Sequence, residues 1–63
     1  MNEQQHKLRG QCIKVLFEKY AGHVENNFPK YTTKSMYECA EDWVSKGHVN
    51  TSGIVKYYEA YYA

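Results

Sequence analysis

The sequence lacks the long apolar run of a membrane protein and the apolar leader of a secreted one. No stretch approaches the roughly 18 residues that a membrane-spanning helix needs. Residues 2–7 are polar, so we expect no apolar stretch of a secretory signal there. We therefore expect a cytoplasmic protein with no membrane partner. Proline is scarce too, with a single residue, and an apolar share of 43% beside 24% charged residues is typical of a folded domain, not a disordered chain.

Cysteine is also scarce, and its spacing does not suit a metal site. The chain has two cysteines, Cys12 and Cys39, and neither belongs to a CxxC pair. The three histidines do not form the close pair that zinc modules use. We therefore expect no metal and no cofactor. In a cytoplasmic protein the two cysteines would be reduced thiols, whereas an oxidising compartment would allow a disulfide between them.

Catalytic motifs are missing as well. The four glycines are scattered and form no phosphate-binding loop, and no spacing forces a cysteine and a histidine together as a nucleophile and its base. The carboxylates of Glu38, Glu41 and Asp42 fall on one side of a helix, which we interpret as a solvated surface. With 63 residues the chain has room for one small core and no deep pocket. We expect no enzyme and no small-molecule substrate.

What the sequence does contain is the apolar periodicity of an all-α protein. It predicts a compact single domain over residues 1–63, with three helices at about 4–21, 33–46 and 51–62. The predicted core draws on all three helices. Its members are Leu8, Cys12, Leu16, Met36, Ala40, Trp43, Ile54, Tyr58 and Tyr61.

Capping and stop residues define the expected ends of these helices. A polar side chain just before a helix satisfies a free backbone N–H, and glycine just after it allows the chain to turn away. The candidate N-caps are Asn2 with Gln5, then Thr32 or Ser35, then Asn50 or Thr51, and the candidate stops are Gly22 and Gly47.

Tyrosine, in contrast, is abundant, with seven residues in the chain. Four of the last seven residues are tyrosines, more rings than so small a domain can bury. Two of them belong to the predicted core face of the third helix, whereas Tyr57 and Tyr62 flank that face and are better placed for exposure. A surface tyrosine offers a flat apolar body and a hydroxyl, as interface anchors do. With Phe28 and Tyr31 from the connecting loop, Tyr57 and Tyr62 would form one aromatic patch for a protein partner or for self-association.

The second and third helices also permit a helix-turn-helix interpretation. In that motif the start of the second helix meets base edges in the major groove, where Asn, Thr, Ser and Lys side chains can read bases or hold phosphates. The packing positions would be Trp43, Gly47, Val49, Ile54 and Tyr57, and the DNA-binding residues would be Asn50, Thr51, Ser52 and Lys56.

The segment Ile54–Glu59 also resembles the recognition helix of MerR-type regulators, in which a basic residue precedes paired aromatics and a glutamate. The resemblance covers about eleven residues and needs a shift of one position between Val49 and Tyr57. It implies DNA binding. The net charge of +1 is low for a nucleic-acid-binding protein and far from the acidic excess of a DNA mimic.

Two functions are consistent with these patterns. The first is a small non-enzymatic regulator or inhibitor that binds another protein through the tyrosine-rich surface of the third helix and the loop. Proteins of this kind are common products of phages and other mobile elements. The alternative is a helix-turn-helix transcriptional regulator that binds DNA with the start of the third helix and dimerises through its tyrosines.

Overall fold

Three α-helices make up the fold within residues 1–25 and 31–63. The computed structural model describes residues 1–25 and 31–63, and within those ranges it contains no strand. The helices are α1 (Glu3–Glu25), α2 (Thr33–Ser45) and α3 (Ile54–Tyr61). The all-α, three-helix prediction is confirmed, and the predicted bounds of the second helix are correct to within one residue.

Helix α1 begins where the sequence predicts and continues past its expected end. The backbone N–H of Asn2 donates to Oε1 of Gln5 at 2.9 Å, and the backbone N–H of Gln5 donates to Oδ1 of Asn2 at 2.8 Å. This reciprocal pair is a capping box. The predicted stop at Gly22 is wrong, because the helix runs on to Glu25. The backbone instead departs from helical geometry within the helix at Tyr20 (φ −113°, ψ 21°), and glycine permits a helix end without imposing one.

Helix α2 is capped by Thr32, the earlier of its two candidates. The backbone N–H of Ser35 donates to Oγ1 of Thr32 at 3.0 Å, and the backbone N–H of Thr32 donates to Oγ of Ser35 at 3.3 Å. Ser35 is therefore the third residue of the helix and not its cap. At the other end Gly47 has a φ of +92°, the left-handed conformation that follows many helices, so the predicted stop at Gly47 is confirmed.

Helix α3 starts later than predicted, and neither Asn50 nor Thr51 is its N-cap. The residue before the helix is Gly53, whose φ of +92° lies outside helical geometry. A Cβ at Gly53 would also lie 3.2 Å from Cη2 of Trp43, so the turn passes close against the indole. Oδ1 of Asn50 accepts a hydrogen bond from the backbone N–H of Ser52 at 2.9 Å. Residues 50–53 are therefore a turn, and α3 has eight residues.

The core lies where the three helices meet, and eight of its nine predicted members are buried. Tyr61 is the exception, because its side chain is 73% exposed. The rings of Tyr57 and Tyr62 are directed at α2, and the ring of Tyr61 packs against that of Tyr57 with centroids 5.0 Å apart, on the solvent side. The core also contains three residues outside the predicted set, namely Tyr20, Cys39 and Val44.

Both cysteines are free and buried in this core. Burial raises the pKa of the Cys12 thiol to about 11. Burial also raises the pKa of Cys39 to about 12, with smaller contributions from the charges of Cys12 and Asp42. Both groups are therefore neutral thiols at physiological pH and contribute to packing as small apolar side chains.

Candidate functional site

The four tyrosines at the end of the chain have three different environments. Tyr58 is buried, and its hydroxyl shares a hydrogen bond of 2.7 Å with Oγ of Ser35. Tyr57 and Tyr62 are half-buried, and Tyr61 is the most exposed of the four. The expectation that Tyr57 and Tyr62 would be the exposed rings, with Tyr61 in the core, is therefore wrong for Tyr61 and only partly met for the other two.

A single carboxylate fixes the two half-buried tyrosines. Oδ2 of Asp42 accepts a hydrogen bond from the hydroxyl of Tyr57 and another, at 3.3 Å, from the hydroxyl of Tyr62. Asp42 was expected on the solvated face of α2, but it is half-buried because these two rings extend over it. The sequence pattern gives no sign of this arrangement, since the partners lie 15 and 20 positions apart.

These contacts lower the pKa of Asp42 and raise the pKa values of Tyr57 and Tyr62. Both effects favour an ionised carboxylate that accepts from neutral hydroxyls. Hydrogen bonding from Tyr57 is the main cause that lowers the pKa of Asp42, with further help from the charge of Lys46 and from Tyr62. The hydrogen bond to Asp42 raises the pKa of Tyr57. Burial, followed by the charge of Asp42, raises that of Tyr62. The cluster is therefore a carboxylate with two hydroxyl donors over the neutral pH range.

A second carboxylate of α2, that of Glu38, lies near Tyr62. Glu38 lies four positions before Asp42, so the two side chains share one flank of the helix. Glu38 is exposed, and its negative charge contributes to the raised pKa of Tyr62. We call the set formed by Glu38, Asp42, Tyr57, Tyr61 and Tyr62 the tyrosine–carboxylate surface.

An aromatic row continues from this surface to the α2–α3 turn. The ring of Tyr57 lies 5.4 Å from that of Trp43, and the imidazole of His48 stacks on the indole at 3.6 Å with an interplanar angle of 8°. The indole Nε1 donates to the backbone carbonyl of Asn50 at 2.8 Å. The role of His48 was not predicted. The only signal is its position just after Gly47, where a reversal of the chain returns it toward α2.

The two loop residues predicted to join the aromatic patch have different outcomes. Phe28 lies outside the described residues. Tyr31 is half-buried, and its ring centroid lies 4.8 Å from that of Tyr20 and 4.6 Å from that of His23. It connects to the tyrosines of α3 through the buried ring of Tyr58, at 6.1 Å. Tyr31 therefore borders α1 more closely than it borders the tyrosine–carboxylate surface.

The residues of the DNA-binding alternative occupy the turn and the outer face of α3. Lys56 is exposed on the helix, whereas Asn50, Thr51 and Ser52 precede the helix and so do not form its first turn. The packing role assigned to Val49 is wrong, because its side chain is 85% exposed. DNA binding by these residues stays a prediction.

One open groove of about 550 Å³ lies between the start of α1 and the α2–α3 turn. Amide side chains line much of it, and none of these polar side chains is buried. Its described lining residues are Asn2, Gln4, Gln5, Lys7, Leu8, Gln11, Val44, Gly47, His48 and Val49.

Neither a metal site nor a membrane span is found within residues 1–25 and 31–63. These residues hold no group of three or more His, Cys, Asp or Glu side chains arranged to bind a metal ion. No helix within these ranges is long and apolar enough to cross a membrane.

Comparison with known proteins gives no family for this chain. No protein-family model, curated protein or solved structure matches it.

Proposed function

We propose that this chain is a small non-enzymatic regulator or inhibitor that acts by binding another protein through the tyrosine–carboxylate surface. The observation that carries the proposal is the position of Tyr61. A ring that is 73% exposed lies on a helix, directly beside two further tyrosines that are half-buried. Tyrosine is enriched among the residues that dominate binding energy at protein interfaces.

The fixed geometry of the neighbouring rings supports this choice of surface. The hydroxyls of Tyr57 and Tyr62 are held by Asp42, so these side chains have little freedom left to lose when a partner binds. Side-chain ordering costs free energy at most interfaces, and a surface ordered in advance avoids that cost. Tyr61 adds an exposed ring beside these two, and rotation about its two χ angles lets the ring fit a partner. The partner would be another protein or a second copy of the chain.

A matched pair of tyrosine variants tests the proposal. Tyr61→Ser removes the exposed ring of the surface, and Tyr37→Ser removes a ring that is 41% exposed on the opposite flank of α2. Tagged wild-type and variant proteins would be used for pull-downs from bacterial lysate, with and without nuclease, followed by mass spectrometry. Sedimentation of each purified protein would measure self-association.

We expect either a protein that co-purifies in stoichiometric amounts after nuclease treatment or a dimer of the chain. In both cases the association should be lost with Tyr61→Ser and kept with Tyr37→Ser. A folded Tyr61→Ser variant with wild-type capture and wild-type mass would contradict the proposal. So would a wild-type chain that is monomeric and captures no protein.

The second candidate is a helix-turn-helix DNA-binding protein. It is supported by the exposure of Asn50, Ser52 and Lys56 at and after the α2–α3 turn. It predicts salt-sensitive DNA binding that weakens with Lys56→Ala or Asn50→Ala. In the same pull-down, nucleic acid would be recovered and protein partners would be lost after nuclease. Unchanged DNA affinity of a folded Lys56→Ala variant would argue against this candidate.

A further inference from the structure

Carboxylates on two flanks of α2 lie near tyrosine rings, which belong to α2 itself on one flank and to the end of the chain on the other. The flank facing α1 shows how such a pair is used. There the guanidinium of Arg9 lies 5.4 Å from the ring centroid of Tyr37. Its Nε also pairs with Oε1 of Glu41 at 3.3 Å. Tyr37 and Glu41 are four positions apart, so a ring face and a carboxylate together receive one arginine.

The flank facing α3 also has carboxylates and tyrosine rings, but no arginine of the described residues pairs with them. Glu38 and Asp42 are also four positions apart, the hydroxyls of Tyr57 and Tyr62 reach Asp42, and the charge of Glu38 acts on Tyr62. The ring of Tyr61 packs on that of Tyr57. Within residues 1–25 and 31–63, no lysine or arginine lies within ion-pair distance of Glu38 or Asp42.

Two lysines lie near these carboxylates along the same helix. Lys34 and Lys46 stand one turn before Glu38 and one turn after Asp42. The charge of Lys46 contributes to the lowered pKa of Asp42 without an ion-pair contact. Neither lysine therefore provides the stacked, paired cation that Arg9 provides on the other flank.

We propose that the bound partner presents an arginine to the tyrosine–carboxylate surface, with its guanidinium on an exposed tyrosine face and paired to the carboxylate of Glu38. The inference rests on the proposed function and specifies the chemistry of the partner. Glu38 is the chosen acceptor because Oδ2 of Asp42 already receives two hydroxyl donors, whereas Glu38 is exposed.

Other partner chemistries fit this surface less well. An acidic segment would meet two carboxylates of its own sign. An apolar segment would remove Glu38 from water without giving it a partner, which costs free energy. Lysine offers a charge, but only the planar guanidinium can stack on a ring and donate a forked pair of hydrogen bonds to a carboxylate at once.

A peptide pair tests this inference directly. One synthetic peptide contains several arginines, and the other has citrulline, which is neutral and nearly the same shape, at the same positions. Each would be titrated into ¹⁵N-labelled protein. We expect the arginine peptide to move the amide signals of Glu38, Tyr61 and Tyr62, with binding about five-fold weaker or more for the citrulline peptide, as a partly exposed cation–π and ion-pair contact predicts.

Two charge-neutralising variants give the control. Glu38→Gln should weaken binding of the arginine peptide by about five-fold. Glu18→Gln, which makes the same change in net charge on the solvent side of α1, should leave it unchanged. Equal binding of the two peptides, wild-type affinity in Glu38→Gln, or shifts spread over acidic residues elsewhere would each overturn the inference.

The same variants separate this inference from the proposal on which it rests. If the natural partner is lost with Tyr61→Ser but retained with Glu38→Gln, the protein-binding surface stands and the arginine assignment fails. If neither substitution affects capture, the proposed surface itself fails.

Discussion

The contact between α1 and α2 differs in kind from the contact between α2 and α3. The first buries aliphatic and thiol side chains, among them Leu16, Met36 and Cys39, each fully inaccessible to solvent. The second relies on aromatic rings whose polar atoms find partners across the interface. Those partners are Ser35 for Tyr58, Asp42 for Tyr57 and Tyr62, and the carbonyl of Asn50 for Trp43.

Length explains the difference. Helix α1 has 23 residues and can bury a long apolar stripe, whereas α3 has eight, about 12 Å of helix. So short a helix has little stability of its own and depends on tertiary contacts. Directional hydrogen bonds add specificity to the small apolar area that α3 can bury. A short helix fixed by hydroxyls can then present an exposed ring at a defined angle.

The largest expected effect comes from Trp43, which belongs to the α2–α3 contact. Trp43→Ala should lower the free energy of unfolding by about 3–5 kcal/mol, because it removes a large buried ring and leaves a cavity against Gly53. That loss is comparable to the whole stability expected of so small a domain. Urea denaturation followed by circular dichroism would measure it.

Trp43→Phe serves as the control, since it keeps a ring and loses the indole N–H donor. An equal loss in both variants would mean that the hydrogen bond to Asn50 matters and the ring volume does not.

Leu16 tests the opposite contact. Leu16→Ala should cost about 3 kcal/mol, because its side chain is inaccessible to solvent between the helices. Hydrogen exchange should show reduced protection in α1 and α2 together. Loss of protection confined to α3 would contradict the division of the molecule into two kinds of contact.

Tyr58 allows the hydrogen-bonded contact to be weakened without a cavity. Tyr58→Phe removes the hydroxyl that bonds Ser35 and should cost about 1 kcal/mol. The effect on hydrogen exchange should be greatest in α3. Wild-type stability of this variant would show that the hydrogen bond to Ser35 does not help to hold α3.

The smallest effect is expected from Asp42, and it depends on pH. Because the pKa of this carboxyl is lowered from its ordinary value of 3.8, its contribution is present above that value and lost as pH falls through the lower, folded-state value. Asp42→Asn should therefore be less stable than wild type at pH 7, by less than Tyr58→Phe, and the difference should shrink below pH 3.8.

Glu18→Gln controls for the loss of one negative charge. The difference in stability between wild type and Asp42→Asn should depend on pH. An equal difference at neutral and acid pH would show that the ionised carboxylate does not stabilise the fold through its tyrosine partners.

The sequence predicted α2 well because its determinants are local. Apolar residues recur at helical spacing, Thr32 caps one end, and Gly47 ends the other. The start of α3 was missed because Gly53 adopts a left-handed conformation against the indole of Trp43, a contact made across ten positions. Asn50 looks like a helix cap in sequence and instead caps the preceding turn.

The sequence predicted which helix carries the candidate site, but not which of its rings are exposed or what they contact. The density of tyrosine located it on α3. Which rings are exposed depends on Asp42. Its carboxylate binds the hydroxyls of Tyr57 and Tyr62 and holds both rings against α2, whereas Tyr61 stays exposed. A helical projection shows faces of one helix, and it holds no information about a hydrogen-bonding partner on another.

The packing of Tyr57 beside Trp43 makes the protein its own optical reporter. Trp43 is the only tryptophan, and the seven tyrosines include Tyr57, whose ring lies 5.4 Å from the indole. Tyrosines excited so near a tryptophan pass their energy to it, so the folded protein should emit mainly as tryptophan. Separation of α3 from α2 would restore tyrosine emission, and a partner that touches Tyr57 would change the indole spectrum without any added label.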